Sequence, residues 1–343
     1  MDLLKIQLGE LEKFCESSLF QGFSTKPISP LRAVSYLKNP RARRDDNVLY
    51  LFVENNELIA FRTILPDSVV YQGETITFGW CSGTWVRPEN RGQKLSVLLL
   101  NEVRKDWNDR LMFTNYASAS EYCNLGTQAF HLLKERVGRR FYLYPNPNER
   151  LSPVLSAFVK GVSSFKSLFY ASKSVDFVEF SDLDQECVAY LQSFPDTFFN
   201  RKECELQWIM QYHWISSSVR KDFVYPFSYF RKEYLFRIVK LYEHGEFAGF
   251  FIYTLIDSKM KIIYPFVPKA QWKLLVKAVA VLVKKHHIEY LTLLDPEMSC
   301  FFKQKANFFA FSKSYTSHIY STLAISNEEN RLIFDGDGDN CFT

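Results

Sequence analysis

The sequence predicts an α+β fold built on a mixed sheet, with one arrangement of elements met twice along the chain. Three observations carry that reading. Aromatic residues fill 17% of the 343 positions, with 32 Phe and 19 Tyr, a composition that favours packed strands over disorder. Strand-like runs are followed by a Pro-containing loop, an amphipathic helix and a further strand. That order recurs more loosely in the second half.

At roughly 150 residues per domain the length allows two domains. Pro145-Asn146-Pro147-Asn148 marks a natural boundary between 1–150 and 151–343. Hydrophobic residues (47%) and charged residues (23%) supply a large core without a disulfide or metal staple. The net charge of +4 is small for a dedicated nucleic-acid binder. The seven Cys are widely spaced and include no C-x-x-C pair, which argues against a disulfide framework and a structural zinc site. The N-terminus MDLLKIQLGELEKF lacks the basic, apolar, small-residue order of a signal peptide. Lys273 and Lys277 interrupt the longest apolar helix-like run, 272–283, which is too short to span a bilayer. These features predict a reduced, soluble, cytoplasmic protein with no metal and no membrane partner.

Taken in order, residues 1–20 carry apolar positions at helical spacing, and a second helix is predicted over 30–37. Arg41, Arg43 and Arg44 follow it, read as solvated cations at a helix C-terminus or as an anion contact. Strand runs at 48–54 and 58–65, a turn at Pro66-Asp67, a short run at 69–71 and a long run at 75–86 make an antiparallel meander. The loop Pro88-Glu89-Asn90-Arg91-Gly92 leads into a helix over 95–107, with Leu95, Leu98, Leu99 and Val103 on one face. A strand at 111–115, a helix at 118–125 ended by Gly126 and a strand at 139–144 close the half. In the second half, helices are predicted at 151–168, 183–193, 203–215, 271–286 and 296–305. Strands are predicted there at 235–242, 246–255, 259–266, 288–294 and 315–324. Trp208, Tyr212 and Ile215 read as a core stripe.

The informative stretch is VRPENRGQKLS, residues 86–96. A turn from an apolar strand into an amphipathic helix aims successive N–H groups and a helix N-terminus at one point, which favours a pyrophosphate. Gly92 lets the backbone come close to the anion, and Arg91 and Lys94 add cations. Taken alone, the stretch is equally an ordinary strand-to-helix connection. Downstream, Asn115 ends a strand, Tyr122 sits on the next helix and Gly126 follows four residues later.

With these two motifs in order, the chain resembles the GNAT (Gcn5-related N-acetyltransferase) superfamily. The family's first motif, R/Q-x-x-G-x-G/A after V-x-P, corresponds to Glu89-Asn90-Arg91-Gly92-Gln93-Lys94 after Val86-Arg87-Pro88. Its second, N-x-x-A followed by Tyr and then Gly, corresponds to Asn115, Tyr122 and Gly126. The resemblance implies the acyl-CoA N-acyltransferase fold in two tandem copies, the second degenerate, and acetyl-CoA as a substrate. It implies that the amides of Arg91, Gly92, Gln93, Lys94, Leu95 and Ser96 hold the pyrophosphate, with Asn115 also at the cofactor. The pantetheine arm would pair with the strand end at Trp85 and Val86, whose N–H would polarise the thioester carbonyl. Tyr122 would protonate the departing thiolate, a fair match of acid to leaving group.

Three departures stand out. Glu89 replaces the usual Arg or Gln. Lys94 replaces the usual Gly or Ala, so the backbone there is read as needing no glycine-only geometry. The strand FGWCSGTWV lacks the Glu that many family members use as a general base. The corresponding loop of the second half, Pro268-Lys269-Ala270-Gln271-Trp272, contains no Gly and reads as a copy that binds no cofactor and forms acceptor-site wall or interface.

The C-terminus carries Asp335, Asp337 and Asp339 between Gly residues. It reads either as an acidic tail or, from Phe334, Cys341 and Phe342, as a docked segment. Docked, its carboxylates would line the acceptor cleft and supply the missing base. It is a poor calcium loop, with Asn340 where Gly is wanted. The expected activity is acetyl transfer from acetyl-CoA to a primary amine, on a small molecule or on a protein or peptide. Two other readings are a catalytically impaired binding module and an aminoacyl-tRNA-dependent transferase; the modest charge argues against the latter.

Overall fold

A computed structural model describes residues 1–115, 128–143, 176–218, 223–325 and 332–342. Its strands are β1 (Asp2–Gln7), β2 (Asn47–Glu54), β3 (Glu57–Tyr71), β4 (Glu74–Val86), β5 (Leu111–Asn115), β6 (His131–Tyr142), β7 (Asp176–Phe180), β8 (Tyr234–Glu243), β9 (Glu246–Ile256), β10 (Lys259–Phe266), β11 (Tyr290–Leu293) and β12 (Phe311–Ser321). The described helices are α1 (Leu11–Glu16), α2 (Ser18–Gly22), α3 (Pro30–Leu37), α4 (Leu95–Asp106), α5 (Gln185–Ser193), α6 (Glu203–Gln211), α7 (Trp272–Lys285) and α8 (Pro296–Lys305).

The strands form one sheet in the order β1-β2-β3-β4-β5-β12-β6-β11-β10-β9-β8-β7. β1 to β4 are an antiparallel meander, as are β8 to β10. Its tight turns place consecutive residues at positive φ: Asn55-Asn56, Gln72-Gly73, His244-Gly245 and Asp257-Ser258. Such pairs match the twist of the flanking strands. A parallel neighbour cannot be reached by a tight turn, so α4 joins β4 to β5 and α7 joins β10 to β11. α4 buries Leu95, Leu99, Leu100 and Val103 against β2 and β3, and α7 buries Leu275, Val276, Val279 and Leu282.

The final strands of the two halves cross over. β6 pairs with β11, and β12 pairs with β5 on one edge and β6 on the other. Each half therefore supplies a strand to the other, and the sheet runs through both without a break.

The bounds of β10 and α8 agree with the sequence reading, and those of β8, β9 and α7 lie within a residue or so. Other elements differ. Residues 1–20 are not helical throughout: Asp2–Gln7 is a strand, because pairing along β2 satisfies its backbone groups better than an isolated first turn could. β7 had no strand-like signal strong enough to be read. Pro66-Asp67 is not a turn, since β3 runs straight through it with Pro66 opposite Gly79. The boundary at Pro145–Asn148 and the helices expected at 118–125 and 151–168 lie outside the described residues.

Asp67 stays in the strand because its carboxylate is bound in the core rather than to its own backbone. Arg201 donates to both of its oxygens, at 2.8 and 2.6 Å, and the Trp80 indole donates at 2.8 Å. Arg41 adds a bond of 3.0 Å to Asp67 and one of 2.8 Å to Glu205. Arg41 is thus a buried partner and not one of a run of solvated cations. Arg201 Nε also donates to Asp337, at 3.2 Å. Burial alone would raise the Asp67 carboxyl, but Arg201 and Arg41 override it and hold it down at about 2.

Removing one partner from such a network leaves buried charge uncompensated, a loss of about 3–5 kcal/mol. We expect Asp67→Asn to lower the urea midpoint correspondingly. The ionised group contributes its full stability above the ordinary carboxylate pKa of about 4. That contribution fades as pH falls toward about 2. Equilibrium unfolding should therefore show the parent losing more stability over that window than the variant; equal losses would place the acid sensitivity elsewhere.

Candidate functional site

The site forms where two parallel strands part. β4 and β5 pair only at Gly79 with Leu111 and at Trp80 with Met112. Beyond Trp80, β5 follows β12 as far as Asn115, while β4 continues to Val86 with β3 as its strand partner among the described residues. Gly83 pairs with Thr63 and Cys81 with Ile64, so Ser82 is the extra residue of a β-bulge. A bulge of this kind bends the strand and re-aims its side chain.

After β4, a single 3₁₀ turn at Pro88–Asn90 leads to Gly92 at φ 86°. The N–H groups of Val97 and Leu98 both return to the Lys94 carbonyl. Those of Leu95 and Ser96 therefore lie outside the helical ladder. The N–H groups of Gly92, Gln93, Lys94 and Leu95 meet no acceptor among the described residues. Residues 91–94 are exposed, and Trp85 and Val86 are half-buried at the strand end. The Arg91 N–H, by contrast, donates to the Pro88 carbonyl at 3.3 Å.

Lys94 corrects one expectation. It sits at φ 58°, ψ 21°, the left-handed region where glycine is at ease and an L side chain is strained. The geometry of this position is the one the family's Gly serves, and here a lysine adopts it. Lys94→Gly should relieve about 1 kcal/mol of that strain. A calorimetric scan would then show a rise of roughly 2–3 °C in the thermal midpoint; a fall would mean that the side chain makes a contact worth more than the strain.

Arg62, which sequence reasoning passed over, lies beneath this turn. It is fully buried on β3, facing α4. Its Nη2 reaches the Ser96 carbonyl at 3.4 Å, and its Nε and Nη1 have no partner. It forms no ion pair among the described residues. A buried guanidinium in that state is suited to an anion from outside. Its sequence signal was one charge inside the apolar run LIAFRTIL.

On the other face of the sheet, residues 332–342 form a strap, and the acidic-tail reading falls. Phe334, Cys341 and Phe342 are buried, with Phe342 stacked on Trp214 at 4.8 Å. Gly336 N–H donates to the Ile263 carbonyl at 2.9 Å, and the Leu294 N–H donates to Asp335 at 2.6 Å. These bonds lie where β10 and β11 part, since that pair stops at Lys261 and Thr292. The strap then crosses to the first opening. Gly338, at φ 103°, passes so close that a Cβ would lie 2.9 Å from Thr114 Oγ1.

The three strap aspartates differ in setting: Asp335 and Asp337 are buried and Asp339 is half-buried. Asp335 is tied to Leu294; burial pushes it up to about 6, with Arg136 and Lys261 pulling it back in part. Asp337 is held by Arg201 and the Phe334 N–H. Asp339 accepts from the bulge hydroxyl, Ser82 Oγ, at 2.6 Å. Asp339 lines a cavity of about 210 Å³, whose wall also includes Arg32, Ser82, Trp214, Tyr225 and Phe227. Burial raises its carboxyl, against the pull of the Ser82 bond. A larger cleft of about 330 Å³ beside Met210, His213 and Arg237 includes no residue of β4 or α4. Tyr122 and Gly126 lie outside the described residues, and Asn115 stands at the end of β5 in register with His318.

The matching loop of the second half is built differently. Lys269–Gln271 is a 3₁₀ turn without a left-handed residue, and the Trp272 indole donates back to Val267 at 3.3 Å.

No protein-family model matches the sequence, and no curated protein matches it at sequence level. Solved structures do match. N-myristoyltransferase of Saccharomyces cerevisiae with bound myristoyl-CoA superposes with a TM-score of 0.56 at 10% identity, over 95% of this chain and 83% of that one. A protein of Enterococcus faecalis V583, described as a probable N-acyltransferase, gives 0.50 at 11%, over 93% and 72%. A GCN5-related N-acetyltransferase of Kribbella flavida gives 0.49 at 11%, over 93% and 71%. The chain has the acyl-CoA N-acyltransferase fold, and the likeness extends through both halves.

Proposed function

We propose that this protein is an acyl-CoA-dependent N-acyltransferase that moves an acetyl group from acetyl-CoA to a primary amine by direct attack. The observation that carries the reading is the Ser82 bulge. On one side of it β4 opens toward the free amides at the α4 N-terminus; on the other lies a cavity holding a half-buried carboxylate. Donor and acceptor can therefore meet across one strand.

In this reading the amides of residues 91–96 take the pyrophosphate, with Arg62 as a cation below them. The open edge of β4 at Trp85 and Val86 pairs with the pantetheine, and Asn115 lies at the same site. The acceptor enters as an ammonium and gives a proton to Asp339. The neutral nitrogen attacks the thioester carbon, a C–N bond forms, and the charge on oxygen is met by an N–H of β4. The C–S bond then breaks, Tyr122 protonates the thiolate, and the second proton shed by the acylated nitrogen passes through solvent to restore the phenol. Asp335 and Asp337 hold the strap. The first half, 1–150, is the donor domain; the second, 151–343, supplies acceptor-site wall through Trp214, Tyr225 and Phe227. The acceptor is a small-molecule amine or a peptide amine.

Gly92→Asp places a carboxylate against the phosphates and should abolish acetyl-CoA binding by isothermal titration while the fold survives. Unchanged affinity would refute the pyrophosphate assignment. Deleting the strap would remove core residues, so the base is better tested by a point change. Asp339→Asn should lower kcat on the order of 10²–10⁴-fold with cofactor affinity retained. Because burial raises Asp339, kcat/KM of the parent should fall with acidification through a pKa above the ordinary carboxylate range, and the variant should lack that limb. Turnover unchanged by the substitution would leave Asp339 a structural residue.

A further inference from the structure

Resting on the acyltransferase reading, we infer the class of the acceptor: a free α-amino acid, bound through its carboxylate by Arg32 with its amine at Asp339. Arg32 lies on α3 and is 3% exposed. Its guanidinium covers the Trp214 indole at 4.1 Å. Nε and Nη2 donate to Tyr36 Oη at 3.2 and 2.9 Å, Nη2 also to Thr63 Oγ1 at 2.6 Å, and Nη1 to Tyr225 Oη at 3.3 Å. All of these acceptors are neutral. They hold the guanidinium in place without cancelling its charge, and no acid forms an ion pair with it among the described residues. Buried charge without a counter-ion is costly, so a site of this kind is completed by a ligand that brings the opposite charge.

The charge is placed where a ligand can use it. Nη1 carries a second N–H beyond the one given to Tyr225. It faces β4 next to the bulge: a Cβ on Gly83 would lie 3.3 Å from Nη1 and 3.1 Å from Phe227. Arg32 and Asp339 line the same cavity, one positive and one negative, without touching. That pairing is the complement of a zwitterion. The ammonium goes to Asp339, where it can be deprotonated, and the carboxylate accepts the remaining Nη1 N–H of Arg32 beside its positive charge.

Size and lining narrow the class. A cavity of about 210 Å³ is below the range that holds drug-sized ligands. A single amino acid suits a space of this size. The rings of Trp214, Tyr225 and Phe227 give the wall apolar surface for a side chain. A polyamine or a lysine-like amine would bring no anion to Arg32.

The test uses the full chain and begins with the parent protein. Common proteinogenic amino acids are titrated one by one in the absence of any thioester. The tightest binder is compared with its methyl ester and its decarboxylated amine. Both neutral-ended analogues should bind on the order of 10²-fold more weakly, because they leave the guanidinium unpaired. Free-thiol release from acetyl-CoA should follow the same order. Arg32→Gln should erase the difference between acid and ester, and Arg32→Lys, which keeps the charge, should restore part of it. Equal binding of amino acid and decarboxylated amine overturns the inference, as does the absence of binding by every amino acid tried. If amino acids bind but no thiol is released and acetyl-CoA does not bind, the acyltransferase reading fails while the carboxylate site stands.

Discussion

One buried carboxylate organises the molecule. Asp67 on β3 takes two guanidiniums and an indole, and through Arg201 it reaches Asp337 on the strap. Four separate stretches are joined there: β3, the loop after α3, the segment before α6 and the C-terminal strap. Each ion is desolvated, so none can leave without stranding another. Asp339 stands two residues from Asp337, and its place at Ser82 follows from that anchor. The candidate base is thus positioned by a charge network that never meets the reactants.

The two halves solve one problem in opposite ways. Wherever a parallel pair parts, strand edges lose partners, and unpaired backbone groups in the interior are costly. At β10 and β11 the strap supplies bonds, from Gly336 to Ile263 and from Leu294 to Asp335. At β4 and β5 it comes near through Gly338 and Asp339 but leaves the β5-facing edge of β4 beyond Trp80 without a strand partner among the described residues. The left-handed turn at Gly92 and Lys94 stands at that opening only. Exchange of β6 and β12 between the halves makes the openings parts of one sheet, so a single strap can serve both.

The local parts of this architecture were legible in the residues. Hairpins follow from Asn-Asn, Gln-Gly and His-Gly turns, and α7 and α8 from apolar spacing. The turn around Gly92 could be read as an anion cradle, and the N–H groups of Gly92 to Leu95 meet no acceptor among the described residues. The same local logic misled wherever a residue's usual role was overridden at a distance. Pro66-Asp67 carries the composition of a turn, yet Asp67 is claimed by Arg201, 134 positions away. Arg41 looks like a helix-end cation, yet its partners are Asp67 and Glu205. Arg62 and Arg32 look like surface charge inside short runs, and both are buried.

By itself the sequence determined what depends on period and turn chemistry: the meanders, the crossover helices, and a Gly-containing turn fit for a pyrophosphate. Only the tertiary structure decided which charges are interior, which strand each edge receives, and that Asp339 of three similar aspartates lines a cavity. The physical reason is range. Periodicity and backbone preference act over a few residues, whereas the meaning of a buried charge is set by partners that the chain brings together only when the sheet closes.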